Sequence, residues 1–186
     1  MRKAVLIVAM SALPLSMAVA DSYTIDPQHT FPNFSISHLG FSTMHGRFDE
    51  TSGKLDFDPA KKTGSVEITI NAKSVNTGYE KRDNHLRSPD FLNTAEHPTI
   101  TFKSTKASFA SSTGKVEGML TMAGATKPVT LNVTSFKCGV HPMSKKNVCG
   151  FDAETTIKRS EFGVNYGIPG IGDDMKLVFE VEAVKK

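Results

Sequence analysis

Histidines, a cysteine pair and one cluster of mixed charge are where this 186-residue chain has chemistry to offer. His29, His38 and His45 stand nine and seven residues apart, which is not a metal-ligand spacing on one strand, and no His-Glu-X-X-His pattern occurs. Ser35 and Ser37 lie among those histidines, but neither sits in the Gly-X-Ser-X-Gly turn that would expose a nucleophile. The expectation is therefore a non-enzymatic role with no catalytic cofactor. The two cysteines, Cys138 and Cys149, bracket the loop CGVHPMSKKNVC. A metal site built from them and His141 would lack a fourth ligand and the usual close cysteine pair, so no metal is expected. A disulfide is expected instead, in a chain read below as exported. Closing that loop would stabilise the fold by roughly 3 kcal/mol in the chain-entropy account.

The export reading rests on the first twenty residues. Arg2 and Lys3 precede an apolar run from Ala4 to Leu15, and Ala18-Val19-Ala20 supplies small residues for cleavage. An uncleaved anchor is the rival, but the run is short for a span and Pro14 interrupts it. No cysteine follows the run, so no lipid attachment is expected there. The expectation is a signal peptide over 1–20, one domain over 21–186, and a periplasmic or secreted location. Removing Arg2 and Lys3 leaves 20 basic against 19 acidic residues, a net charge of +1. Basic residues are scattered, so no nucleic-acid partner is expected, and membrane contact is at most transient.

Apolar residues alternate with polar ones along most of the chain, as a half-buried strand requires. The alternation is seen at Phe34, Ile36 and His38, at Met44, Gly46 and Phe48, at Gly53, Leu55 and Phe57, and at Val66, Ile68 and Ile70. It resumes at Ile100 and Phe102, then at Val116 to Met122, Val129 to Val133, Phe151 to Ile157 and Leu177 to Ala183. Turn residues such as Thr63-Gly64 and Gly124-Ala125-Thr126-Lys127-Pro128 divide these runs. About eight strands joined by hairpins predict an all-β, antiparallel meander. Closing it into a barrel would bury one face and remove the edges; a two-sheet sandwich fits the same alternation, so both stand. Only Tyr79 to Asn93, YEKRDNHLRSPDFLN, breaks the rhythm, and it predicts a short helix followed by a second turn capped by Ser88 with Pro89 first. Leu86, Phe91 and Leu92 of this insertion would face the barrel.

Twelve Phe, no Trp and five Met after the signal give an interior with little demand for hydrogen bonds. Any one of these residues reads most simply as core filling. Together they describe a lining that could also accept an aliphatic guest, since an eight-stranded barrel is wide enough for side chains alone or for one small ligand.

Arg82-Asp83-Asn84-His85-Leu86-Arg87-Ser88-Pro89-Asp90-Phe91-Leu92-Asn93 and then His97-Pro98-Thr99-Ile100-Thr101-Phe102 resemble the central signature of the YceI family. Phe34 to Gly40 with Gly46-Arg47-Phe48 resembles its opening motif, and Gly118 to Val129, Lys158 to Gly163 and Leu177 to Ala183 resemble its later strands. The resemblance implies a lipocalin-like antiparallel eight-stranded barrel with a short inserted helical segment. It further implies binding, with transport or storage, of a long-chain isoprenoid lipid in an internal apolar tunnel, either an isoprenoid quinone such as ubiquinone or an isoprenyl pyrophosphate. Homodimers occur in the family. A carrier of fatty-acid-like amphiphiles and a solid-core secreted interaction module are the alternatives. The cysteine pair lies outside the family pattern, and with no Trp the chain lacks the Gly-X-Trp of true lipocalins.

Strand parity and placement nominate Phe31, Phe34, Ile36, Phe41, Met44 and Phe48 as lining, with Leu86, Phe91, Phe102 and Met122, and then Phe162 and Met175. A headgroup would need polar partners near a mouth, and His29, His38, Arg82, Asp83 and His85 are the candidates. Arg82 and Asp83 read equally well as a charged turn satisfied by its own backbone, and His38 as a core histidine.

Overall fold

The structure, a computed structural model, describes residues 20–58 and 61–186. The signal expected over 1–20 lies outside the described residues except for Ala20. The strands are β1 (Asp21–Ile25), β2 (Phe31–His38), β3 (Ser42–Phe48), β4 (Thr51–Asp58), β5 (Thr63–Asn71), β6 (Val75–Asn76), β7 (Thr99–Ala110), β8 (Thr113–Met122), β9 (Ala125–Val140), β10 (Asn147–Lys158) and β11 (Ile171–Lys185). One helix, α1 (Glu80–Arg87), is inserted before β7.

Antiparallel pairing runs β1-β4-β5-β7-β8-β9-β10-β11, and β11 pairs back with β1. That last pairing closes eight strands into a barrel and decides against the sandwich. The length of β11 makes room for three more strands than the sequence reading expected. Its Ala183–Lys185 end pairs with β1, while Ile171 to Glu180 pairs with β2, from which β3 and β6 extend. Between β1 and β2 the chain steps outward through a turn in which Asp26 caps the Gln28 N–H. The barrel therefore has one long end walled by β2, β3 and β6, and one compact end closed around β1.

The compact end is filled by aromatic rings. Phe57 is fully buried and meets Phe109, Phe136 and Phe151 edge-on at centroid distances of 5.2, 5.5 and 5.7 Å. Such edge-to-face contacts add about 0.5–1.5 kcal/mol each beyond the area they bury. Nearby, Cys138 and Cys149 face one another across β9 and β10 and form the expected disulfide.

At the long end α1 is held by polar fasteners rather than by an apolar face. Asp83 accepts hydrogen bonds from the Thr77 N–H and hydroxyl, and Arg82 donates to the Thr77 hydroxyl (2.7 Å) and carbonyl (2.8 Å). Arg87 donates to the carbonyls of Lys73 and Val75. Leu86 is thereby turned toward the interior. The second helical turn expected at Ser88 does not continue into a helix. The Ser88 carbonyl accepts from the N–H groups of both Phe91 and Asn93, which folds the segment into tight turns and aims Phe91 and Leu92 inward.

Candidate functional site

Inward-facing positions in a filled barrel should be sealed from any probe, yet here many are not. Phe34 and Ile36 on β2, Val66 and Ile68 on β5, Val129 and Leu131 on β9, and Met175, Leu177 and Phe179 on β11 all face inward and all remain partly accessible. They line two chambers. The chamber beneath α1 has a cavity volume of about 120 Å³ and the one toward the compact end about 100 Å³. Pro32, Ile70, Leu120, Leu177 and Phe179 line both, so the two chambers lie end to end and share this part of their wall. Apolar vacancies stay dry and receptive to apolar guests.

Glycine shapes the wall at one position in particular. The Phe34 ring lies across Gly46, in the space a Cβ would occupy, so the neighbouring strand lets the ring flatten against the wall. Phe109 and Phe151 line the lower chamber, with Phe57 and Phe136 behind them as its floor.

Of the nominated lining residues, Phe34, Ile36, Phe48, Leu86, Phe91, Met122 and Met175 border the upper chamber and Phe102 borders the lower. Four are placed elsewhere. Phe31 has the parity opposite to Pro32 and Phe34, and its ring lies outside beneath the Arg47 guanidinium at 4.9 Å. Phe41 belongs to the β2–β3 turn, where strand parity does not apply, and is 90% exposed. Met44 sits opposite Ile36 but beyond the chamber wall. Phe162 is 1% exposed and packs in the core without reaching the vacancy.

The headgroup candidates separate as well. His29 is on the outer wall rather than at a mouth: its Nδ1 hydrogen-bonds Asp26 at 2.9 Å, which raises the imidazole pKa and lowers that of the carboxyl. One ligand atom each from Asp26, His29 and Glu182 lie within 4.8 Å of one another there, with the His29 and Asp26 atoms engaged by that bond. Arg82 and Asp83 are consumed by Thr77, as a charged turn satisfied by its own backbone. His38 ends β2 beside Ile171 of the upper mouth without bordering the vacancy. His85 is at that mouth. It bonds Asp90 at 2.9 Å and stands edge-on to Phe91 and Tyr166, 5.0 Å from each.

The polar residues that border the upper chamber are Asn33 and Arg159, the latter 1% exposed and not among the headgroup candidates. Arg159 is tied down on all three nitrogens. Its Nε donates to Gly172, Nη1 to Val164, and Nη2 to Tyr166 and Ile171, all to carbonyls at 2.8–3.0 Å. Four of the five N–H groups are thus used, and one on Nη1 has no protein partner. Desolvation pushes the guanidinium pKa down, and the Asp173 charge opposes that shift. Asp173 itself accepts from the Ser160 N–H (2.9 Å) and hydroxyl (2.8 Å), which lowers its own pKa. Strand parity could not have found Arg159, because β10 ends at Lys158 and Arg159 opens a short 3-10 turn.

A YceI-like domain model matches residues 23–183. Protein YceI of Escherichia coli O17:K52:H18 is 39% identical over 191 aligned positions, covering both chains entirely, and a UPF0312 protein of Ectopseudomonas mendocina is 38% identical over 95% of this chain and 94% of its own. Among solved structures, Burkholderia cenocepacia BcnA superposes with a TM-score of 0.75 at 25% identity, covering 85% of this chain and 98% of that one. A polyisoprenoid binding domain from Saccharophagus degradans, implicated in plant cell wall breakdown, superposes at 0.63 with 19% identity over 90% of this chain and 99% of that one, a likeness of fold.

Proposed function

The chain belongs to the YceI-like domain family, and from that premise we propose that it binds one long polyisoprenoid lipid in its tunnel and carries or stores it, without catalysis, in the periplasm or outside the cell. The observation that supports this reading is the adjacent pair of apolar chambers whose inward side chains remain accessible. A solid-core interaction module would have closed them.

A long hydrocarbon suits such a space because each buried methylene-sized group contributes about 0.8 kcal/mol, so roughly twenty give about 16 kcal/mol gross. Association and ordering cost about 4 to 15 kcal/mol, so a short tail falls below the threshold and a long one clears it. Kinked isoprenoid units, rich in methyl branches, also match walls made mostly of Phe, Leu, Ile and Val.

The headgroup end favours a quinone over a diphosphate. Arg159 stands behind the upper chamber with its guanidinium bonded to carbonyls, and among the described residues no second cationic residue borders either chamber. A neutral quinone needs no counter-charge there. A diphosphate carries more charge than a single guanidinium offsets, and in a dry apolar site that imbalance is costly.

Solvent extraction of purified protein followed by mass spectrometry tests the reading. An isoprenoid recovered near one per chain is the expected result, with Phe34→Asp and Phe102→Asp folding but holding none. Protein that yields no lipid, or yields it equally from both variants, overturns it.

A further inference from the structure

We propose that the upper mouth of the tunnel docks directly on a phospholipid bilayer, with Leu39, Phe41, Tyr166 and Ile168 as the side chains that enter it. The proposal rests on the lipid-carrying reading, since a guest of this kind is collected from and delivered to a membrane.

Large apolar side chains are exposed at eight described positions, and four of them fall on two adjacent loops: Leu39 (56%) and Phe41 (90%) on the β2–β3 turn, Tyr166 (49%) and Ile168 (36%) on the segment before β11. The Leu39 N–H donates to the Gly170 carbonyl at 2.7 Å, which ties the loops together into one rim. That rim is continuous with the upper chamber, because Tyr166 packs at a tilt, 5.2 Å between centroids, against Phe91, a lining residue, and Ile171 at the base of the second loop is another.

Neither loop, residues 39–41 and 163–170, contains a charged residue. A surface loop without charge, tipped by Phe and Leu, gains little from water and much from an acyl layer. Tyr166 supplies the amphipathic ring that belongs at headgroup level, with Leu39 and Phe41 reaching further. Leu39 is also held at φ 53°, a left-handed conformation in which a bulky residue is an outlier where Asn or Gly would serve. A strained, exposed leucine at a tip is retained for what its side chain touches. The occupant is a bilayer rather than a second copy because four side chains on two narrow loops fall short of the roughly 800 Å² per partner that a stable dimer buries.

Arg159 connects the rim to the interior. Its bonds to Val164, Tyr166 and Ile171 hold the second loop in place from behind the upper chamber, so the side chains at the membrane and the chamber wall share one anchor.

The test is co-sedimentation of the full mature protein with phosphatidylethanolamine–phosphatidylglycerol vesicles at low and high salt, beside solvent extraction of the same samples. Wild type and Met143→Asp, a control whose residue is 85% exposed at the far end of the barrel, should partition alike and almost independently of salt. Leu39→Asp and Phe41→Asp should each weaken partitioning at least about tenfold, ~1.4 kcal/mol, while the extracted lipid per chain stays unchanged. Wild type that remains in the supernatant, variants that partition undiminished, or a wild-type dimer that the variants dissociate would each overturn the proposal. An extract without lipid strikes the carrying reading and registers in the extraction arm alone, so the two failures are told apart.

Discussion

Arg159 gives four N–H groups to carbonyls of the segment from Val164 to Gly172, and a lysine has neither the fork nor the reach to replace them. Arg159→Lys should lower stability by about 2–4 kcal/mol in denaturant titration, because buried carbonyls lose partners whose individual worth is about 1–3 kcal/mol. Asp173 lies beside it and holds the Ser160 turn. Its folded pKa is depressed below its ordinary value, so its contribution is complete above the unfolded pKa, about 3.9, and is lost as pH falls through the folded one. Wild type should therefore lose more thermal stability than Asp173→Asn between about pH 5 and pH 2, and curves that run parallel over that window would remove Asp173 from this role. These residues show where reading one position at a time fails. Lys158-Arg159-Ser160-Glu161 looks like a solvated charged run, and nothing in the letters says that the backbone folds over the second of them. Phe31 and His29 are outside for simpler reasons: Phe31 has the parity opposite to Phe34 on β2, and His29 lies in the Asp26–Thr30 turn, where strand parity does not apply.

Strands were legible because period two survives wherever one face is apolar, and every alternating set named from the sequence lies on a strand of the structure. What period two does not report is length and branching. β11 serves two partner strands in succession, and only tertiary pairing reveals that β2, β3 and β6 build an extra wall above the ring. At the compact end, Phe109 and Phe151 form the floor of the lower chamber. Phe109→Ala should deepen it and shift the bound lipid population toward longer chains by extraction, at a cost of about 3–5 kcal/mol in stability. An unchanged lipid length in a folded variant would place the limit elsewhere. The β9–β10 hairpin carries the disulfide, and Cys138→Ser with Cys149→Ser should cost roughly 3 kcal/mol by chemical denaturation while leaving the tunnel contents unchanged, since the bond lies at the opposite end from the mouth.

At the scale of the whole molecule the question is how a closed barrel of this size comes to have room inside. Its inward positions combine rings and branched aliphatics, and the rings of Phe34, Phe102 and Phe109 lie over Gly46, Gly118 and Gly114 along the wall. Whether the interior is filled or vacant depends on a few ångströms of ring placement, which composition does not encode; twelve Phe describe a solid core as well as a lining. The charge balance, the absence of a ligand spacing among the histidines and the strand count all constrained the function class beforehand. The vacancy had to be seen. A crystal structure of protein purified without detergent and without added lipid is the most direct test. Continuous density for a branched tail should run from Arg159 past Leu120 and Phe179 to the ring of Phe151. Chambers filled by their own side chains, or by ordered water, would contradict the account.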